Sequence, residues 1–154
     1  MTGGEPMMDK NTYKVFQYII DHPKKDLHLN VTSNMCPADK KIKTKYFNMA
    51  QEICMQEKVE HMMQFVSVDA YGKKAEYIRN GLDFNYMMDN VEEFLDRIPN
   101  RNSITFICTY NNLSITSMDK LLEKILELRT KYSKTYQRVW FDVPLLRQPA
   151  WQQI

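Results

Sequence analysis

A helical period and a short β-rich run alternate four times along this chain, and that order constrains the fold more than any other feature. Asp9 can cap a first helix whose apolar residues Val15, Phe16, Ile19 and Ile20 share a face, and Asp21-His22-Pro23 ends it. Leu27 to Thr32 then reads as a short alternating strand. From Asp39 to Lys58 the spacing of Tyr46, Phe47, Ala50, Ile53 and Cys54 is helical, and a strand follows at Met63 to Asp69. Asp83 opens the clearest helix, with Phe84, Met87, Met88, Val91, Phe94 and Leu95 on one stripe and Pro99 as its stop. Ser103 to Thr109 is a third strand. Thr116-Ser117-Met118-Asp119 has the pattern of a capping box for a last helix, with Leu121, Leu122, Ile125, Leu126 and Leu128 as its apolar face. Arg138 to Val143 is the last strand, stopped by Pro144. Strands separated by helical crossovers pair in parallel, so the expected class is α/β with a parallel sheet.

The 154 residues suit one domain with a sizeable core, and 44% apolar with 26% charged residues lies near the globular average. No apolar run approaches the roughly 20 residues that span a bilayer, so no membrane partner is expected. The net charge of +2 is spread along the chain, and its densest basic run, Asp39 to Lys45, lacks interleaved aromatics. Nucleic acid is therefore not the expected partner. Cys36, Cys54 and Cys108 are odd in number and widely spaced, as suits reduced thiols of a cytoplasmic protein. Neither they nor His22, His28 and His61 show metal-ligand spacing, so no metal site is expected.

Ligands of parallel α/β folds bind at the C-terminal ends of the strands. Those ends carry Ser33-Asn34, Ser67-Val68-Asp69-Ala70, Asn111-Asn112 and Asp142, and Gly3-Gly4-Glu5-Pro6 precedes the first helix. A Gly-Gly pair lets backbone groups come close to a ligand, and Pro6 fixes φ where a helix begins.

The order of these sets resembles the radical S-adenosylmethionine enzymes, in particular the branch with SPASM or twitch-type extensions. The likeness runs from Thr2 to about Pro144 and implies a partial (β/α)6, TIM-like barrel entered before its second strand, with 145–154 beginning a C-terminal extension. It also implies that Gly3, Gly4 and Glu5 receive the amino group of S-adenosylmethionine. Ser33-Asn34 falls where the family has Thr-Asn-Gly, with Met35 in place of the glycine. Ser67 and Asp69 match a Ser-x-Asp-Gly set facing the methionine carboxylate and ribose, with Ala70 in place of that glycine. Arg79 matches an arginine that pairs with the carboxylate, and Asn111 falls near the nucleoside.

Family chemistry also needs a Cys-x-x-x-Cys-x-x-Cys loop holding a [4Fe-4S] cluster, and an electron donor to reduce it. That loop is not in this sequence. The resemblance therefore implies a portion of an enzyme that, at full length, cleaves S-adenosylmethionine to a 5′-deoxyadenosyl radical acting on an unidentified substrate, the chain as given lacking catalytic residues. The alternative is a non-catalytic S-adenosylmethionine-pocket module that works with a separate cysteine-bearing half. Asp142, Arg147 and Trp151 are candidates to face a substrate. In either case the outer edge of the Leu27–Thr32 strand is expected to be open.

Overall fold

A computed structural model describes residue 1, residues 4–99 and residues 101–144. The first helix, α1 (Lys10–Asp21), starts where the Asp9 carboxylate accepts the Asn11 amide at 2.9 Å. It buries Thr12, Phe16 and Ile19, while Val15 turns outward. Strand β1 (Lys24–Ser33) begins three residues before the expected Leu27. Helix α2 (Lys40–Met55) is capped by Asp39 and buries all five residues of its expected stripe. Strand β2 covers Val59–Ser67, so Val68 and Asp69 lie just past it rather than within it.

A short helix, α3 (Lys73–Ile78), follows Gly72 and has no counterpart in the sequence-based expectation. It buries only Ala75, and so carries no stripe to read. Helix α4 (Phe84–Arg97) forms as expected, with Asp83 Oδ1 accepting the Tyr86 amide at 3.0 Å. Strand β3 is Ser103–Ile107, and α5 (Met118–Tyr132) leads to β4 (Val139–Asp142). The capping box does not form. A 3-10 turn at Ile115–Ser117 runs directly into α5, and Ser117 makes no side-chain cap. Leu122 and Leu126 are exposed, leaving Leu121, Ile125 and Leu128 as the buried face.

All strand pairs are parallel, and their order in the sheet, β1-β2-β3-β4, is their order in the sequence. Parallel crossovers follow a right-handed rule, so three of them in the same direction place their helices on one face. Burial agrees: Leu29, Val31, Met62, Gln64, Val66, Ile104, Phe106 and Val139 form the covered side of the sheet. Gln64 lies within that core because its amide is satisfied. Tyr46 of α2 donates to Gln64 Oε1 at 2.6 Å, and Gln64 Nε2 donates to the Val31 carbonyl at 3.0 Å.

The helices are tied side by side. Lys43 of α2 pairs with Glu93 of α4 at 2.8 Å, and Lys124 and Lys131 of α5 both reach Glu92. Buried Arg138 donates to the Leu95, Ile98 and Asn102 carbonyls, satisfying the C-terminal end of α4 and joining it to the start of β4. The opposite face of the sheet carries His61, Met63, Phe65 and Ser67 of β2, all half-exposed. Contacts on this face run from strand to strand, as from Thr105 to Met63 at 3.3 Å.

Among the described residues the outer edge of β1 is open except at one rung. The Met1 ammonium donates to the Asn30 carbonyl at 2.5 Å, and the Met1 carbonyl accepts the Thr32 amide at 3.0 Å. That is the pattern of a parallel bridge opposite Val31. Since strand amides alternate in direction, those of His28 and Asn30 point outward while those of Leu29 and Val31 point to β2. In native-state hydrogen exchange, His28 and Asn30 should exchange at least about a hundredfold faster than Leu29 and Val31. Equal protection of all four amides would contradict an open edge.

Candidate functional site

The polar residues expected at the strand ends gather in three clusters. The first joins the N-terminal turn to the end of β1 through Glu5. Its Oε1 accepts the Met7 amide at 3.1 Å and the Ser33 hydroxyl at 2.5 Å, and its Oε2 accepts the Asn34 amide at 2.9 Å. Glu5 thus holds Ser33 and Asn34 against the turn that carries Gly4. Gly4 has φ of +62°, where a side chain is strained, and among the described residues nothing lies within 4 Å of where its Cβ would sit. Gly3 lies outside the described residues, as do Arg147, Trp151 and the whole of 145–154.

Met35, in the position where the resemblance has a glycine, adopts φ of +54° and is fully buried. For a non-glycine residue this conformation costs about 1–2 kcal/mol. Its amide donates to Ser33 Oγ at 2.9 Å, and its carbonyl accepts from Asn90 Nδ2 at 2.8 Å. The chain therefore keeps the turn a glycine would make and fills the space beneath it with a thioether side chain.

The second cluster lies beyond β2. Asp69 Oδ1 accepts the Thr109 amide at 3.0 Å and Oδ2 accepts Arg79 Nε at 2.7 Å, while the Asp69 carbonyl accepts the Cys108 thiol at 3.4 Å. Asp69 is nearly buried and Arg79 about one-third exposed. Only Nε of Arg79 is engaged among the described residues, which leaves its outer guanidinium nitrogens available to an anion. Ser67 stands half-exposed on the bare face at the end of β2.

The third cluster is internally spent. Asn111 donates through Nδ2 to the Thr109 carbonyl at 2.8 Å and accepts the Leu113 amide at 2.9 Å, which makes it a turn-forming residue. Ser33 is likewise committed to Glu5 and Met35, so its contribution is to fix the turn. Asn34 Oδ1 accepts the Cys36 amide at 2.9 Å, so the groups left to face a ligand are the Gly4 backbone, the Nδ2 amide of Asn34, Ser67 and Arg79.

The cysteines do not converge. Cys36 follows β1, Cys54 lies in α2 and Cys108 follows β3, and all three are free. Burial pushes the Cys54 and Cys108 thiols up to about 12, with nearby Asp69 adding to the rise at Cys108; Cys36 is also raised by burial. Such thiols stay protonated at neutral pH in the free protein. Among the described residues, no three His, Cys, Asp or Glu side chains are placed to hold a metal ion.

A cluster that the sequence did not announce lies toward the opposite end of the strands. His28 and His61 are direct partners across β1 and β2, with ring centres 6.0 Å apart, and His61 Nε2 lies 3.1 Å from Ser103 Oγ on β3. Their separation of 33 positions gives no local motif, and only the strand register brings them together. Burial lowers the His61 pKa below 6.5, and His28 and Arg101 lower it further against an opposing effect of Glu60.

Among the described residues no helix is long and apolar enough to cross a membrane. Comparison of the chain with protein-family models, with curated proteins and with solved structures finds no match.

Two outcomes follow from this geometry. Asp69→Ala strands the Thr109 amide and the Arg79 Nε–H together, and should lower stability by about 2–3 kcal/mol in denaturant unfolding. Asp69→Asn, which keeps an acceptor for Thr109, should cost less; equal losses would count against this account. Between the lowered folded pKa of His61 and its unfolded value of 6.5, the unfolded chain binds more protons. This contribution to stability is therefore present above 6.5 and is lost as pH falls through that window. A His61→Gln variant should show a shallower decline from pH 7 to 5, and an unchanged slope would refute the assignment.

Proposed function

We propose that this chain is part of a radical S-adenosylmethionine-type barrel and supplies the side of the pocket that receives the methionine moiety of S-adenosylmethionine. The observation that carries the proposal is the row of strand-end groups on a sequentially ordered parallel sheet. The Glu5-clamped turn stands at the end of β1, and the Asp69–Arg79 pair stands at the end of β2. A sheet whose helices all lie on one side can curve toward its bare face, which is the arrangement a partial (β/α)6 barrel needs. The positive φ of Met35 supports the same reading, because it puts a left-handed residue where the family pattern has glycine.

In this proposal each residue has a defined part. The backbone of Gly3, Gly4 and Glu5 receives the ammonium group. The outer nitrogens of Arg79 receive the carboxylate, while Asp69 aims the guanidinium through Nε. Ser67 and Asn34 offer hydrogen bonds at the rim, and Ser33 and Asn111 hold the turns in place. Asp142, exposed at the end of β4, is kept as a substrate-facing candidate.

A [4Fe-4S] cluster does not fit the cysteines of the described residues, which sit on separate elements. No reaction step is therefore assigned to this chain. Radical formation, with its reducing partner, belongs to a full-length form carrying the cluster loop. That loop belongs either to a longer form of this chain or, as the alternative, to a separate half; in both arrangements β1 takes a parallel neighbour on its outer edge, where Met1 already forms one rung.

Calorimetric titration of the chain with S-adenosylmethionine and with its decarboxylated form tests the proposal directly. The carboxylate form should bind at least about tenfold more tightly, and Arg79→Ala should abolish that preference. Equal binding of the two compounds, or binding of neither, would overturn it.

A further inference from the structure

The histidine pair on the bare face lies away from the strand-end clusters. His28 precedes Ser33 by five strand positions, or roughly 16 Å along β1. The pair meets the requirements of a chelating site more closely than its two-residue content suggests. The rings project from directly paired positions on adjacent strands, and the strand register fixes their spacing. Two imidazoles sharing one tetrahedral ion at Zn–N distances of about 2.0–2.1 Å bring their ring centres to roughly 5 Å. The observed separation is 6.0 Å, about 1 Å longer, and His28 is the exposed member of the pair, whose ring would have to turn to close it.

The third residue supplies what a ligating histidine ordinarily has. Such a ring usually donates its second N–H to an oxygen that fixes its tautomer and orientation. Ser103 Oγ, 3.1 Å from His61 Nε2, is placed to accept that proton, which leaves the Nδ1 lone pair of His61 for an ion. Ser103 is itself 2% exposed, so this partner is held by the sheet.

We propose that His28 and His61 form a two-point binding site for a borderline divalent transition ion such as Ni(II) or Zn(II), with Ser103 as the positioning residue for His61 and water completing the coordination. The site does not rest on the S-adenosylmethionine proposal and would stand if that failed. Imidazole donors select Ni, Cu and Zn over the hard, oxygen-seeking Mg(II). Open coordination positions on an exposed sheet face would leave the ion accessible to a small donor ligand.

The three histidines of this chain make the test direct. Chelator-treated protein is titrated with substoichiometric Ni(II), and the imidazole C–H resonances are followed by NMR. Those of His28 and His61 should broaden together, while His22, stacked on Tyr18 in α1, stays sharp. By calorimetry with Zn(II), His28→Asn and His61→Asn should each weaken binding at least about tenfold, Ser103→Ala severalfold, and His22→Asn not at all. Mg(II) should give no response. Broadening of His22 alongside the others, unchanged affinity in His28→Asn, or no broadening at millimolar Ni(II) would each overturn the proposal.

Discussion

The order of the strands in the sheet is the constraint on which the rest of this structure depends. Each parallel connection must cross from the end of one strand to the start of the next, and handedness allows it to do so on one side only. Had the order reversed after β1 or β2, helices would cover both faces. Because it runs β1-β2-β3-β4 without reversal, one face takes the whole helical layer and the other is left to the strands. The paired charges between α2, α4 and α5 and the buried Arg138 are consequences, since a single row of helices must satisfy its polar groups sideways and at its ends.

The same constraint explains why the polar residues of the strand ends divide in function. Chain leaving a parallel strand must turn sharply toward the helical layer, and the turn needs acceptors for its freed amides. Glu5 serves the Met7 and Asn34 amides, Asp69 the Thr109 amide and Asn111 the Leu113 amide. Carboxylates that a sequence reading assigns to a ligand are therefore first of all structural. What they leave over is specific: Asp69 holds Arg79 by Nε alone, so the pair orients a cation without consuming it.

The helices were legible in the sequence where an apolar stripe coincided with a capping carboxylate. Asp39 and Asp83 mark α2 and α4 to within a residue because a side chain that accepts an early amide can stand at only one place in a helix. The start of α5 was misread for the converse reason: Ser117 has the right composition, but a 3-10 turn satisfies the local amides first. α3 was invisible because six residues with one buried alanine contain no period. The starts of β1 and β2 were placed late, since the polar residues Lys24 to Asp26 and Glu60 to His61 lie in strands without alternating apolar partners, whereas those of β3 and β4 fall within one residue of expectation.

The site was legible only in part, and the division is physical. Asp69 and Arg79 were each picked out as ligand-facing residues, but their pairing with one another was not read, because a ten-residue separation across a loop and a short helix carries no period. The His28–His61–Ser103 row depends on register across three strands, and register is set by the buried face: Leu29, Met62 and Ile104 must all point toward the helices, and this turns their neighbours outward together. A one-residue slip between β1 and β2 would bury His28 and separate the pair. The bare face thus inherits its chemistry from the packing of the covered one, and a residue pattern on it can be read only once the core has been placed.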